Sequence, residues 1–76
     1  MTTRQRFRNK YRLQIREKDH LPAHCHLVGG HIDVAIDLQT LTVLEGRWPA
    51  DLAQEVLAWL ADHQLELLAE WRKWHP

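Results

Sequence analysis

The sequence lacks the features that mark disulfide-bonded, secreted and membrane-spanning proteins. Its 76 residues include one cysteine, Cys25, so no disulfide can form within the chain. A single cysteine fits a reducing compartment. The amino-terminal residues lack the apolar stretch of a secretory signal, and no apolar run approaches the length of a membrane span. We therefore expect a cytoplasmic protein that does not engage a membrane.

The chain also lacks a net charge, with ten basic and ten acidic side chains, but the two signs are unevenly placed. Residues 1–18 hold seven Lys or Arg and one Glu, whereas residues 19–76 hold three basic and nine acidic side chains. Residues 1–9 have no apolar period, and we interpret them as a flexible basic arm or the frayed start of a strand. Such an arm can bind nucleic acid, an acidic partner or its own domain. The candidate nucleic-acid-binding residues are Arg4, Arg6, Arg8, Arg12 and Arg16.

A glycine pair, Gly29-Gly30, separates two stretches of alternating residues and predicts a hairpin, because glycine supplies the positive φ angles of a two-residue turn. With this pair as the loop, His26 faces Asp33 across the hairpin. His24, His26 and Asp33 then share the face that points away from the core. The opposite, apolar face comprises Cys25, Leu27, Ile32, Val34 and Ile36.

The carboxy-terminal third has neither glycine nor proline between Ala50 and Trp74, and its apolar residues recur in two stripes at helical spacing. One unbroken helix would be about 36 Å long, whereas strands of this protein would span about 17–27 Å. We therefore expect two helices with a break near Asp62 and His63. The prediction is one α+β domain over residues 1–76. Residues 10–46 form a four-stranded, mainly antiparallel sheet, and residues 50–74 form two helices packed on one face, in the order β-β-β-β-α-α.

Three interpretations of the His/Asp face stay open. His24, His26 and Asp33 could bind zinc or iron, since two His and one carboxylate with an open position form a known catalytic metal site. Without any cofactor, His24 and His26 could act as acid and base, because imidazole titrates near neutral pH. In that case His20 assists and Asp33 orients His26. The third interpretation is a polar face that meets solvent or docks a protein.

The motif D-H-x-P-x-H-x-H at residues 19–26 precedes the hairpin, the strand end L-E-G at residues 44–46 and a helical pattern containing Trp59 and Trp71. This order resembles a family of small bacterial proteins catalogued as domain of unknown function 4160, over about residues 7–74. This sequence has Ala23 and Cys25 at the positions between the histidines where the family commonly has a second proline and an aromatic or aliphatic residue. Because members are frequently encoded beside another small protein, the resemblance implies a toxin–antitoxin component with a cognate protein partner.

These observations together lead to a functional hypothesis. The protein is expected to be a toxin–antitoxin-like component that acts on RNA through its His/Asp face and basic arm, with Arg12 and Arg16 binding phosphate. Cleavage would need no metal, and the RNA 2′-hydroxyl would be the nucleophile. One alternative is a non-enzymatic antitoxin or regulator that docks a protein or DNA, and another is a metal-binding protein. Exposed strand edges would also permit a homodimer.

Overall fold

A computed structural model describes residues 2–15 and 23–74 of the chain. In it, five antiparallel strands form one sheet in chain order, and one helix covers a face of that sheet. The elements are β1 (Thr2–Phe7), β2 (Tyr11–Ile15), β3 (His24–Gly29), β4 (Ile32–Asp37), β5 (Val43–Glu45) and α1 (Ala50–Trp74). The predicted α+β class is confirmed, but the prediction of four strands and two helices is wrong. Within the described residues, no helix is long and apolar enough to cross a bilayer.

The additional strand is β1, which lies where the basic arm was expected. It pairs with β2 through a tight turn in which Arg8 and Asn9 have φ angles of 55° and 53°, as a type I′ turn requires at both central positions. The Lys10 amide donates to the Phe7 carbonyl across this turn at 3.1 Å. Phe7 is buried and meets the Trp59 ring edge-on, with 6.0 Å between centroids. One apolar anchor therefore fixes an otherwise polar strand to the core.

The β3–β4 hairpin forms as predicted, but its register differs by two residues. The loop is Gly30-His31, so that Gly29 pairs with Ile32 and remains in the strand. Gly30, with φ 55°, takes the first loop position, where glycine is favoured in a type II′ turn. Gly29 is needed in the strand because a Cβ there would collide with the Lys10 carbonyl oxygen. A shift of two residues leaves every side chain on its predicted face.

The core lies between one face of the sheet, here called the inner face, and α1. Cys25 and Leu27 of β3 are fully buried there, which confirms the predicted apolar face. The other fully buried side chains of the core are Leu13, Ile15, Val34, Ile36, Leu38, Leu52, Val56, Leu60 and Leu67.

The helix α1 continues for 25 residues without the predicted break. Leu60 and Leu67 are both fully buried and are two turns apart, so the two predicted stripes join into one stripe on a single helix. The middle of the helix is attached to the connection between β4 and β5, because the Gln64 side-chain amide donates to the carbonyls of Leu38 and Gln39, at 2.8 and 2.9 Å. The break was predicted from a comparison of lengths, but a helix can extend beyond the strands that it covers.

Candidate functional site

The sheet face opposite α1, here called the outer face, carries most of the predicted site. Its position follows from the pairing of β2, β3 and β4, which places alternate residues of each strand on the same side. The register places on the outer face the residues Thr3, Arg6, Arg12, Gln14, His24, His26, Val28, Asp33, Ala35, Asp37 and Glu45.

His24 and His26 are neighbours on β3, and their rings meet edge-to-face with centroids 5.0 Å apart and an interplanar angle of 67°. Both residues are half-buried, and the His26 side chain retains 12% of its exposure. The strand period brings them together, since residues two apart on a strand share a face. The predicted pairing of these two imidazoles on one face is therefore present.

The prediction placed Asp33 directly opposite His26. In the structure Asp33 lies beside His26 and not opposite it. Its Oδ1 is 3.9 Å from His26 Nδ1, beyond hydrogen-bonding distance, because the register pairs His26 with Ala35 and Asp33 with Val28. The Asp33 side chain is 68% exposed. Its charge can act on His26, but the direct orienting hydrogen bond is not made in this conformation.

A second carboxylate, that of Asp37, lies opposite His24 in the register. Its Oδ1 accepts hydrogen bonds from the backbone amides of Gln39 and Thr40, at 2.7 and 3.1 Å. This is the local turn in which Asp commonly closes a chain reversal. Asp37 therefore holds the connection between β4 and β5, and the sequence prediction had not recognised this role.

Gln14 is a buried polar residue next to the histidines, and it was not among the predicted site residues. It pairs with His26 across β2 and β3, and it is 3% exposed. The alternation of Tyr11, Leu13 and Ile15 already indicated that Gln14 faces outward. Its burial could not be predicted, because it depends on neighbours that are distant in sequence.

Two predicted site residues, Arg16 and His20, lie outside the described residues, as do Asp19 and Pro22 of the motif. Among residues 2–15 and 23–74, no three or more His, Cys, Asp or Glu side chains are arranged to hold a metal ion. The metal alternative stays a prediction, since His20 lies outside the described residues.

The structure describes four of the five predicted nucleic-acid-binding arginines, and these four divide into two pairs. Arg4 pairs with Glu70 of α1, at 2.9 Å between Nη1 and Oε1. Arg8 donates to Glu55 at 2.9 Å and to Asp51 at 3.3 Å, and the hydrogen bond to Glu55 raises the pKa of Arg8 above its usual value. These two cations therefore attach β1 to the helix.

Arg6 and Arg12 form the other arginine pair, as cross-strand neighbours on the outer face. Both are exposed. The register puts Arg12 next to Val28 of β3, one diagonal step from His26. The outer face therefore combines two imidazoles with two arginines.

Cys25 lies between the two histidines in sequence but points to the inner face, as predicted. It is fully buried, and burial raises the pKa of its thiol to about 12. A thiol in this state is neither a nucleophile nor a metal ligand near neutral pH. The Cys25 thiol therefore adds no reactive group to the outer face.

Comparison with known proteins gives a family and no function. No curated protein matches the chain, and no solved structure matches it. One family model, described as a domain of unknown function (DUF4160), matches residues 11–72. This range includes β2 to β5 and all but the last two residues of α1. The chain therefore belongs to the DUF4160 family.

Proposed function

We propose that the protein cleaves RNA on the outer face of its sheet, without a metal, as the RNA-directed member of a toxin–antitoxin-like pair. The observation that carries the proposal is the edge-to-face contact of His24 and His26, with ring centroids 5.0 Å apart. A pair of imidazoles at this separation can supply both a general base and a general acid to one phosphodiester. The neighbouring arginines supply positive charge for the phosphates of the RNA.

In the proposed reaction, His26 is the base and His24 the acid. The neutral imidazole of His26 takes the proton of the 2′-hydroxyl, whose oxygen attacks the adjacent phosphorus. The phosphorus–oxygen bond to the 5′-oxygen breaks, and protonated His24 donates its proton to that leaving oxygen. The products are a 2′,3′-cyclic phosphate and a 5′-hydroxyl end.

The assignment of His26 as base rests on the Asp33 carboxylate, 3.9 Å from its Nδ1. A nearby negative charge favours the protonated imidazolium that forms when the base accepts a proton. The His26 side chain is also largely enclosed, since it is 12% exposed. In this scheme Arg12, with Arg16, binds phosphate, and His20 assists.

The test is replacement of both histidines, His24→Ala with His26→Ala, against the matched control His31→Ala. His31 is an exposed imidazole in the β3–β4 loop and has no role in the proposed reaction. We expect the double variant to keep its circular dichroism spectrum and to lose RNA cleavage by at least about 100-fold, the usual contribution of general acid–base catalysis. Growth inhibition in cells that express it should disappear in parallel.

The control variant should retain both activities. Cleavage by the folded double variant at the rate of the unsubstituted protein would refute the catalytic role of the histidines. Detection of the cyclic phosphate by mass spectrometry of the RNA products checks the nucleophile separately. A 3′-hydroxyl product would contradict attack by the 2′-oxygen.

A second candidate function is a non-enzymatic module that docks a cognate protein. The observation that favours it is the exposure of two apolar side chains on the edge strand β5, Val43 at 39% and Leu44 at 47%. Edge strands with exposed apolar residues pair readily with another chain. This candidate predicts a tight protein complex that survives replacement of both histidines, which the double variant described above also tests.

A further inference from the structure

A cleft opens at the end of the sheet where the β1–β2 turn lies beside the β3–β4 loop. Its volume is about 280 Å³. The residues that line it are Arg6, Asn9, Lys10, Tyr11, Arg12, Gly29 and Gly30.

The lining of this cleft is cationic. Among the described residues, it includes Arg6, Lys10 and Arg12 and no carboxylate. The contrast with Arg4 and Arg8 is informative, since both of those are paired with carboxylates of α1. Within the described residues, Arg6 and Arg12 form no ion pair shorter than 4 Å, so their charge is available to an external anion.

The backbone around the cleft is shaped to admit such an anion. Asn9 and Gly30 both have positive φ angles, 53° and 55°, and turns of this kind commonly build concave anion sites. The Lys10 side chain crosses Gly30, with Cε 3.0 Å and Nζ 3.6 Å from the position that a Cβ would occupy. Glycine at this position therefore leaves room for the lysine ammonium at the mouth of the cleft.

We propose that this cleft binds a phosphate group, and specifically a phosphate of the RNA next to the one that is cleaved. The inference rests on the proposed function for the identity of the ligand, but the anion site itself does not. Arg12 is level with Val28, two residues along β3 from His26, which is about 6.6 Å at the rise of a strand. A phosphate held by Arg6, Lys10 and Arg12 would fix the register of the chain so that its neighbour reaches the histidines.

The first experiment titrates the ¹⁵N-labelled protein with inorganic phosphate and follows backbone amide shifts. We expect saturable shifts at Asn9, Lys10, Gly29 and Gly30. They should disappear in the variant Arg6→Gln with Arg12→Gln and weaken in Lys10→Gln, which provides a second, single-site test. They should persist in the control Arg47→Gln with Arg72→Gln, which removes two exposed cations outside the cleft and changes the net charge equally.

The second experiment measures binding of a short single-stranded RNA by fluorescence anisotropy at several salt concentrations. Loss of one phosphate contact should reduce the slope of log affinity against log salt by about 0.7 in the cleft variant. The control variant should keep the original slope. RNA with a 5′-phosphate should be compared with RNA bearing a 5′-hydroxyl. A preference for the former assigns the cleft to a terminal phosphate, and equal binding assigns it to an internal phosphodiester.

The outcomes separate this inference from the proposed function. Phosphate-induced amide shifts at the cleft that persist in the His24→Ala, His26→Ala variant would support the anion site. If the unsubstituted protein also cleaves no RNA, the proposed nuclease function is rejected while the anion site stands. Phosphate shifts that lie elsewhere, or that survive in the cleft variant, would overturn the anion site even if RNA is cleaved.

Discussion

The two faces of the sheet differ although the same strands build both. On β3, Cys25 and Leu27 are fully buried in the core, whereas His24 and His26, which alternate with them, lie on the outer face and are half-buried. The inner face is constrained by close packing against α1. The outer face is not required for that packing, and it therefore has room for polar side chains that bind or react.

The arginines of β1 show the same division in a different way. The register irregularity between Thr3 and Gln5 accompanies the turn of Arg4 toward α1, as a bulge commonly re-aims a side chain. Arg8 also reaches α1 from a left-handed position in the turn. The regularly paired Arg6 stays on the outer face. Charge on β1 thus serves stability on one side and is available for binding on the other.

The largest expected effect comes from breaking the inner face with Leu60→Ala. Leu60 of α1 is fully buried in the core, and removal of such a side chain costs about 2–5 kcal/mol in the free energy of unfolding. The matched control is Leu65→Ala on the same helix, because Leu65 is 83% exposed and should change stability by less than about 0.5 kcal/mol. Urea denaturation followed by tryptophan fluorescence measures both. Equal losses in the two variants would contradict the position of α1.

Much of the fold could be predicted because alternation identifies the faces of a strand without knowledge of its partner. The error of two residues in the β3–β4 register did not move Cys25 or His26 to the wrong face. The strand β1 was missed because Phe7 is its one buried side chain among residues 3–7. Its remaining attachments, such as Arg8 to Glu55, join residues 47 apart in sequence, and no local pattern reveals such contacts.

The candidate site was predictable to a smaller extent. The spacing of His24 and His26 was sufficient to place both rings together. The offset of Asp33 followed from which glycine entered the loop. Gly29 stays in the strand, where its backbone lies against Lys10 of the β1–β2 turn, a contact between residues distant in sequence. The separation of Arg6 and Arg12 from Arg4 and Arg8 required the bulge and the helix carboxylates. Neither is visible in a run of alternating arginines.

A second way to sharpen the comparison uses Cys25 as a reporter of the inner face. Its pKa is raised by burial from 9.0 to about 12, so the folded state favours the neutral thiol. Stability from this source is complete below pH 9 and is lost as the pH rises from 9 toward 12, because the unfolded chain then releases a proton that the folded chain retains. We expect the urea midpoint to fall over this range more steeply than in a Cys25→Ala variant.

Thiol labelling provides an independent readout of the same residue. Near neutral pH the native chain should react with a disulfide reagent only as fast as it unfolds, and it should react at once in denaturant, since the thiolate is the reactive form. Rapid labelling of the folded protein would show that Cys25 is not buried as the structure has it. The same conclusion would follow if the urea midpoints of the unsubstituted protein and the Cys25→Ala variant changed in parallel with pH.

The smallest effect is expected from the ion pair that joins β1 to the end of α1. Arg4 Nη1 lies 2.9 Å from Glu70 Oε1, and the two side chains are 34% and 20% exposed. Partly exposed pairs of this kind contribute about 0.2–1 kcal/mol. A double-mutant cycle with Arg4→Gln and Glu70→Gln should give a coupling energy in that range, whereas the same cycle with Arg6→Gln and Glu70→Gln should give none, since Arg6 is on the other face. Equal coupling in both cycles would mean that Glu70 senses only the total charge of β1. The proposed division of the β1 arginines, in which Arg4 anchors the helix and Arg6 binds an anion, would then be wrong. It requires Glu70 to be coupled to Arg4 and not to Arg6.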